Sequence, residues 1–187
     1  MYPQLSLFDL RNYEYSFMIS PARRVKDSVV NMKKQINRIT PVGQYDLYSV
    51  PHISLFKMRF PNNDNFILSL FKQALLYSTR FKVELNGISY FDHQNSKTVY
   101  LNIANPEPIV CLHRNLLSTF QYRTTDFIPH LTIARSIPNS AIPRVEKILT
   151  EYHDDFWCNE IIVLKKPVED KRVPTSKYTR IYEAILN

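Results

Sequence analysis

The chain has 187 residues, a net charge of +7 and a hydrophobic fraction of 44%. This composition supports a packed core and excludes an intrinsically disordered chain. Only two glycines occur, and neither a P-loop nor a dinucleotide-binding fingerprint is present, which excludes a glycine-rich phosphate loop. The excess of Lys and Arg is compatible with a phosphate-bearing partner, and equally with a simple contribution to solubility.

Cysteine usage and hydropathy predict a cytoplasmic protein. Cys111 and Cys158 form neither a CxxC pair nor a metal-ligand spacing, so we expect reduced thiols. The first residues, Met1 to Gln4, lack the charged leader and apolar run of a signal peptide. No stretch approaches the roughly 18 apolar residues of a membrane span. We therefore expect no membrane association.

The first half of the chain predicts a strand, a helix, a strand, a helix and a strand. Ser20 and Pro21 suit the cap and the first position of the first helix, and Gly87 suits a β-bulge in the third strand. The predicted elements are Tyr13 to Ser20, Ala22 to Ile39, Leu47 to Phe60, Asn65 to Ser78 and Phe81 to Phe91.

The second half predicts the same order. A basic loop, Lys165 to Lys177, and a last strand, Tyr178 to Leu186, complete the chain. The repeated elements are Lys97 to Ala104, Pro106 to Phe120, Ile128 to Ile137, Ser140 to Tyr152 and Phe156 to Leu164.

This repeated order predicts an internal duplication. We predict one bilobal domain over residues 1–187, with repeat one over about 13–91, repeat two over about 97–164 and the final strand at 178–186. The link between the lobes is predicted at Asp92 to Lys97. Two like lobes related by pseudo-two-fold symmetry would bring the third-element strands of both repeats face to face across a cleft.

Those two strands carry the same short motif, 78 residues apart. The first copy is His52-Ile53-Ser54-Leu55 and the second is His130-Leu131-Thr132-Ile133, each preceded by proline. Residues two apart on a strand point to the same face. Each copy therefore presents one imidazole and one hydroxyl on one face. A single histidine on a strand indicates little, but two matched pairs in duplicated lobes indicate an active site.

Two imidazoles across a cleft suit in-line displacement at phosphorus. One neutral imidazole removes a proton from the attacking water, and a charged one protonates the leaving oxygen. Ser54 and Thr132 are placed to donate hydrogen bonds to non-bridging phosphoryl oxygens. We predict His52, Ser54, His130 and Thr132 as the catalytic residues.

Other chemistries fit this pattern less well. Two histidines without a nearby Cys, Asp or Glu are too few to hold zinc. Ser54 and Thr132 lie on the strands of their histidines rather than on a strained elbow, and no acid orients either ring. We therefore predict acid–base catalysis with no metal and no cofactor.

The paired His-x-Ser/Thr-aliphatic motifs resemble those of the 2H phosphoesterase superfamily, in the branch of 2′-5′ RNA ligases and RNA 2′,3′-cyclic phosphodiesterases. The likeness spans about residues 13–186, and the second motif with its arginine, His130 to Arg135, matches the family closely. The first motif departs from the branch, with serine for the usual threonine and Phe56-Lys57-Met58-Arg59 for Phe-Leu-Gly.

The resemblance implies an α+β fold with two pseudo-symmetric lobes, each an antiparallel sheet flanked by helices, and a metal-free active-site cleft between them. It implies hydrolysis of 2′,3′-cyclic phosphates of RNA ends or nucleotides to a phosphomonoester, and 2′-5′ RNA ligation as the reverse reaction. In the family the first histidine is usually the proton donor and the second the acceptor, which would be His52 and His130 here.

Three further residues are candidates for substrate binding. Arg135 lies an odd number of residues from His130, so it is either a salt-bridged arginine on the back face or, if the strand bends, a phosphate ligand. Phe56 and Tyr48 share the predicted strand face of His52 and either line the cleft or pack in the core. The remaining histidines are assigned no function, and the basic loop is either a solvated loop or a rim of the cleft that attracts the phosphate backbone.

Two other functions remain open from the sequence. A +7 chain with an atypical first motif is also compatible with an RNA-end-binding module that turns over little. The same fold could also serve an esterase for a non-RNA cyclic phosphate, such as one formed from ADP-ribose. In each case we expect a monomer.

Overall fold

The structure is a computed structural model, and it describes residues 12–123, 126–149, 151–168 and 177–186. The elements of the first half are β1 (Asn12–Ile19), α1 (Arg23–Ile39), α2 (Gln44–Tyr48), β2 (Ile53–Pro61), α3 (Asp64–Ala74) and β3 (Phe81–Asp92). Those of the second half are β4 (Ser96–Ile103), α4 (Glu107–Thr119), β5 (His130–Pro138), a 3₁₀ turn (Asn139–Ala141), α5 (Ile142–Ile148), β6 (His153–Cys158), β7 (Glu160–Pro167) and β8 (Thr179–Ile185).

The described strands form two four-stranded antiparallel sheets. Their orders are β2-β1-β7-β8 and β5-β4-β3-β6. The predicted α+β fold with two lobes and antiparallel sheets is confirmed. The motif strands β2 and β5 are each the edge strand of their sheet, and their Cα atoms approach within 8 Å. The two sheets therefore meet along the edges that carry the motifs.

The sheet orders are equivalent, but neither sheet is a continuous half of the chain. Strand β3 follows β1 and β2 in sequence, yet it pairs with β4 and β6 in the other sheet. Strand β7 follows β4 and β5, yet it pairs with β1 and β8. Repeat one thus contributes β3 to the sheet of repeat two, and repeat two contributes β7 to the sheet of repeat one.

Two sequence predictions are corrected by this exchange. The segment Asp92 to Lys97 does not link the lobes, because β3 and β4 are neighbours joined by a hairpin that the His93 N–H closes on the Ser96 carbonyl at 2.9 Å. The single strand predicted over Phe156 to Leu164 is divided at Asn159, where the chain passes from one sheet to the other.

Helix α1 begins at Arg23 with Ala22 at its cap position and no side-chain cap hydrogen bond, so the prediction of Ser20 as the cap and Pro21 as the first helical residue is wrong. Helix α1 buries Val25, Val29 and Ile36 on one side, as its 3.6-residue period requires. Helix α3 begins at an Asn63 cap, whose side-chain oxygen accepts the Phe66 N–H at 3.1 Å. The described helices include none with the length and apolar character needed to cross a membrane.

The largest local difference from the sequence prediction lies before the first motif. The prediction begins the motif strand at Leu47 and Tyr48, but these residues end the short helix α2. The strand β2 begins only at Ile53. The helix predicted over Ser140 to Tyr152 is also shorter, because a 3₁₀ turn leads into the seven-residue α5.

Both cysteines are free thiols, Cys111 exposed and Cys158 buried. Burial raises the pKa of the Cys158 thiol to about 12, so this sulfur stays protonated and unreactive at neutral pH. Gly87 lies at an irregularity in the β3–β4 pairing with a φ of 74°, which confirms the predicted bulge. A positive φ of this size favours glycine.

Candidate active site

The two motif histidines have the same anchoring. The Nδ1 of His52 lies 2.8 Å from the carbonyl oxygen of Val50, and the Nδ1 of His130 lies 2.8 Å from the carbonyl oxygen of Ile128. A carbonyl only accepts hydrogen bonds, so each Nδ1 must carry the proton. In the neutral ring, Nε2 then carries the lone pair. Both rings are therefore held in the tautomer that leaves Nε2 available for proton transfer.

The two motif strands also share a β-bulge directly after the hydroxyl residue. Against β1, the register passes from Ser54 to Phe56 and leaves Leu55 as the extra residue. Against β4, it passes from Thr132 to Ala134 and leaves Ile133 as the extra residue. A bulge of this kind bends the strand and reverses which face the following side chains take.

A second irregularity in β5 lies at Arg135. The pairing with β4 shifts again between Ala134 and Ile137, and Ser136 has a φ of 55°. The strand therefore bends at this point. The sequence analysis predicted Arg135 as a phosphate ligand under this condition. The positive charge of Arg135 lowers the pKa of both His52 and His130.

Arg135 is fixed by a carboxylate from α2. Its Nη1 lies 2.6 Å from Oδ1 of Asp46, and its backbone N–H donates to Oδ2 of the same side chain at 3.2 Å. Asp46 precedes the first motif and Arg135 follows the start of the second, so this pair joins the two motif segments. About half of the Arg135 side chain is exposed and remains accessible to an anion.

The helix that carries Asp46 is held by a buried lysine. Lys33 on α1 is 2% exposed. Its ammonium donates to the carbonyls of Asp46 and Ser49 at 2.6 and 2.8 Å, and to the Ser49 hydroxyl at 2.8 Å. All three donors of the ammonium are thereby satisfied. Lys33 thus fixes α2 and the short segment that leads to His52.

The electrostatics of the site favour two neutral imidazoles in the free protein. Burial is the main cause that lowers the pKa of His52 and His130 below the usual 6.5, and the positive charge of Arg135 lowers both further. The anchoring carbonyls oppose this effect by stabilising the charged rings. An anionic ligand between the rings would raise both values and allow one ring to take up a proton.

The burial of Lys33 predicts a pH dependence of stability. Desolvation lowers its pKa from 10.5 to about 8. Between these values the unfolded chain binds a proton that the folded protein does not, so stability rises with pH. Relative to Lys33→Met, we expect the free energy of unfolding of the native protein to rise by about 3 kcal/mol from pH 8 to 10.5. Urea unfolding at about pH 7, 8, 9 and 10 measures this.

Lys34→Met provides the matched control, because Lys34 is the exposed neighbour of Lys33 on the same helix. It should show no pH-dependent difference from the native protein. Parallel stability curves for the native protein and Lys33→Met would contradict the depressed pKa.

The structure does not place the two predicted aromatic ligands on the face of His52. Tyr48 lies on α2 and is 79% exposed. Phe56 is only 5% exposed, because its ring stacks on Phe17 with centroids 4.5 Å apart and meets Phe120 edge-on. The prediction that Phe56 lines the cleft is wrong: the bulge at Leu55 reverses its face and directs it into the core.

A conservative variant separates these roles for Phe56. Phe56→Leu removes three buried carbons, so we expect a loss of about 2 kcal/mol in the free energy of unfolding. The Michaelis constant of the folded variant should stay within about twofold of the native value, since a buried ring contributes no contact to a ligand. A large rise in the Michaelis constant without loss of stability would reverse this assignment.

Sequence reasoning missed the aromatic wall beside the second histidine. The ring of Phe91 meets the His130 ring edge-on with centroids 4.8 Å apart, and Tyr100 does so at 5.3 Å. Phe91 and Tyr100 also stack on each other at 4.2 Å. Only the pairing of β3 with β4 and of β4 with β5 brings them together, and no local pattern encodes these pairings. Asp46 and Lys33, on α2 and α1, were missed because their contacts join segments that are separated in the sequence.

The prediction of a metal-free site stays a prediction. Within residues 12–123, 126–149, 151–168 and 177–186, no group of three or more His, Cys, Asp or Glu side chains is arranged to hold a metal ion. Of the predicted basic loop, Lys165 to Pro167 end β7, while residues 169–176 lie outside the described residues.

Comparison with protein families assigns the chain. The model of the 2′-5′ RNA ligase superfamily matches residues 31–168, a span that contains both histidine motifs and Arg135. The chain belongs to the 2′-5′ RNA ligase superfamily. The predicted membership of the 2H phosphoesterases is thereby confirmed, and it supports a phosphodiesterase-type function. No match in sequence was found among curated proteins.

Solved structures support the same fold. Escherichia coli LigT, in its complex with 3′-AMP, is similar over 94% of this chain and 98% of its own, with a TM-score of 0.65 and 14% identity. Its apo form gives the same values. A structure described as a phosphoesterase is similar over 92% of this chain and 98% of its own, with a TM-score of 0.56 and 14% identity. At these identities the likeness establishes a shared two-lobed fold.

Proposed function

We propose that this superfamily member is a phosphodiesterase that opens 2′,3′-cyclic phosphates of RNA ends or nucleotides to phosphomonoesters. The observation that carries the proposal is the matched pair of imidazoles, His52 and His130. Each has its Nδ1 proton bound to a carbonyl two residues earlier and its Nε2 left for chemistry. The two rings belong to sheet edges that approach each other.

The reaction needs two proton transfers that the two rings can supply. One Nε2 takes a proton from water as the water oxygen bonds to phosphorus. The other Nε2 gives its proton to the ribose oxygen as the bond from phosphorus to that oxygen breaks. The product is a phosphomonoester with a free neighbouring hydroxyl, and the sum is the addition of one water molecule. The protein regains its starting state when the two rings exchange protons with solvent.

The remaining residues of the site suit the charge that develops on phosphate. Ser54 and Thr132 precede matched bulges and lie half-buried, where each hydroxyl would donate to a non-bridging oxygen. Arg135, oriented by Asp46, adds a charged donor on the same group. Phe91, next to His130, offers an apolar surface for the nucleoside.

The choice of substrate rests on this chemistry and on the relatives. A strained cyclic diester has one leaving oxygen to protonate, and two histidines with no bound cofactor are sufficient for that step. LigT has been solved with 3′-AMP, a nucleoside monophosphate of the kind this reaction releases. If an RNA 5′-hydroxyl replaced water and the ribose 3′ oxygen were the leaving group, the same two proton transfers would join RNA ends through a 2′-5′ linkage.

The test uses purified protein, excess EDTA, 2′,3′-cyclic nucleotides and a short RNA ending in a cyclic phosphate. Chromatography resolves the 2′- and 3′-monophosphate products. Hydrolysis in EDTA with a single product isomer is expected, and the isomer identifies the leaving oxygen. Binding of the RNA without turnover, or activity confined to a cyclic phosphate of non-RNA origin, would overturn the proposal.

A further inference from the structure

A groove of about 550 Å³ lies between α1 and the segment that leads to the first motif. One wall is formed by α1 residues that include Lys26, Lys34 and Arg38, and the other by residues 47–51. At 1.5 Å per residue, the α1 wall from Lys26 to Arg38 is about 18 Å long. That length accommodates several stacked nucleotides at about 3.4 Å each.

The groove is basic, and its cations are available. No acidic residue lines it among the described residues. Lys34 and Arg38 are exposed, and neither forms an ion pair within the described part of the chain. The two acids that flank the groove residues in sequence, Asp27 and Asp46, form ion pairs with Arg23 and Arg135. Two free cations one helical turn apart on one groove wall suit successive phosphates of a polyanion.

The opposite wall is apolar and aromatic. Tyr48 is 79% exposed and Val50 is 66% exposed, and both line the groove. An exposed ring beside cations is the combination with which proteins bind single-stranded nucleic acid, because the bases stack while the phosphates are neutralised. An acidic peptide would use the cations but would gain little from an open tyrosine face.

The groove ends at the segment that anchors the first histidine of the candidate active site. Its last lining residue is Pro51, which directly precedes His52, and the Val50 carbonyl accepts the Nδ1 proton of that histidine. Lys33 fixes this segment through hydrogen bonds to the carbonyl oxygens of Asp46 and Ser49. An RNA strand in the groove would therefore lie along a fixed segment that directly precedes His52.

We propose that this groove binds the single-stranded RNA that precedes the terminal phosphate, with Lys34 and Arg38 on its phosphates and Tyr48 against a base. The inference rests on the proposed function and deepens it. It makes an RNA end, rather than a free cyclic nucleotide, the preferred ligand. A mononucleotide reaches the two histidines but leaves the groove empty.

The experiment measures binding, so that it does not depend on turnover. The probe is a 5′-fluorescein-labelled six-residue RNA with a 3′-phosphate, followed by fluorescence anisotropy, with the matching nucleoside 3′-phosphate as competitor. For the double variant Lys34→Gln with Arg38→Gln, we expect about a tenfold weaker affinity for the RNA and an unchanged affinity for the mononucleotide. The slope of log K against log salt should fall by about 1.4.

Tyr48→Ser tests the stacking contact separately. It should weaken RNA binding by at least about fivefold and leave the salt slope unchanged, since it removes no charge. The control is the double variant Arg144→Gln with Lys147→Gln, which removes the same charge from exposed positions on α5. This control should bind both ligands like the native protein.

Three results would overturn the proposal. The first is an unchanged RNA affinity in both groove variants. The second is an equal loss of affinity for the RNA and for the mononucleotide. The third is an equal loss of RNA affinity in the α5 control, which would indicate that the overall positive charge of the protein attracts the RNA. A protein that binds the RNA through the groove but hydrolyses no cyclic phosphate would retain this inference and refute the proposed function.

Discussion

Replacement of either His52 or His130 by alanine is expected to lower kcat/KM for a 2′,3′-cyclic phosphate by about 10²- to 10⁴-fold. Each variant removes one of two obligatory proton transfers, and general acid–base catalysis contributes a factor of this size. Steady-state hydrolysis of a cyclic mononucleotide in EDTA measures the loss. The double variant should be little worse than the worse single variant, because the two rings act as one unit.

A second substrate distinguishes the two histidines. A phosphodiester with a nitrophenolate leaving group needs no proton on the departing oxygen. The variant that lacks the general acid should therefore lose much less activity on this substrate than on the cyclic nucleotide, while the variant that lacks the base should lose activity on both. The family resemblance makes His52 the proton donor, so His52→Ala is the variant that should retain more activity on the nitrophenolate substrate.

His153→Ala is the matched control, since His153 is an exposed histidine on β6 whose partner is Glu151. Its activity should equal that of the native protein. Activity within about threefold of native in either motif variant would remove that histidine from the mechanism.

Arg135→Gln is expected to lower kcat/KM by about 10²- to 10³-fold, the usual cost of losing one preorganised donor to a developing oxyanion. It should also move the pH profile. In the native protein the productive form has one ring charged and one neutral, and burial and Arg135 lower the pKa of both rings. The bell-shaped profile of kcat/KM should therefore have its maximum below about pH 6.5. Loss of the Arg135 charge raises both values and shifts the maximum upward.

Arg135→Lys separates the charge from the geometry. A lysine keeps the positive charge but lacks the planar guanidinium group, whose several N–H donors can bind Asp46 and phosphate at the same time. We expect its rate to fall while the pH maximum stays at the native position. A pH maximum that is the same in all three proteins would contradict the electrostatic link between Arg135 and the histidines.

The sequence was sufficient for the parts of the fold that are encoded locally. The presence of α1 and α3 and the bulge at Gly87 were predicted correctly. Each of them depends on the periodicity or the conformational preference of neighbouring residues. The paired motifs were found for the same reason, because alternation along a strand fixes which side chains share a face.

What the sequence could not supply depends on strand pairing and register. The extra residues at Leu55 and Ile133 reverse the faces downstream, which explains why Phe56 is in the core although strict alternation placed it with His52. The carboxylate that orients Arg135 lies 89 positions earlier in the chain. Such contacts are fixed by the assembled sheets, and a single sequence carries no record of them.

The exchange of β3 and β7 between the sheets bears on how such a chain arose. A peptide of one repeat, residues 12–92, would hold β1 and β2 together but would leave β3 without its partners β4 and β6. Two copies that exchanged their third strands would form two equivalent three-stranded sheets and would bring two histidines together. An ancestral half-length chain of this kind would thus have been an obligate strand-swapped dimer. Fusion of two copies of its gene would then have joined covalently two subunits that were both already needed for activity.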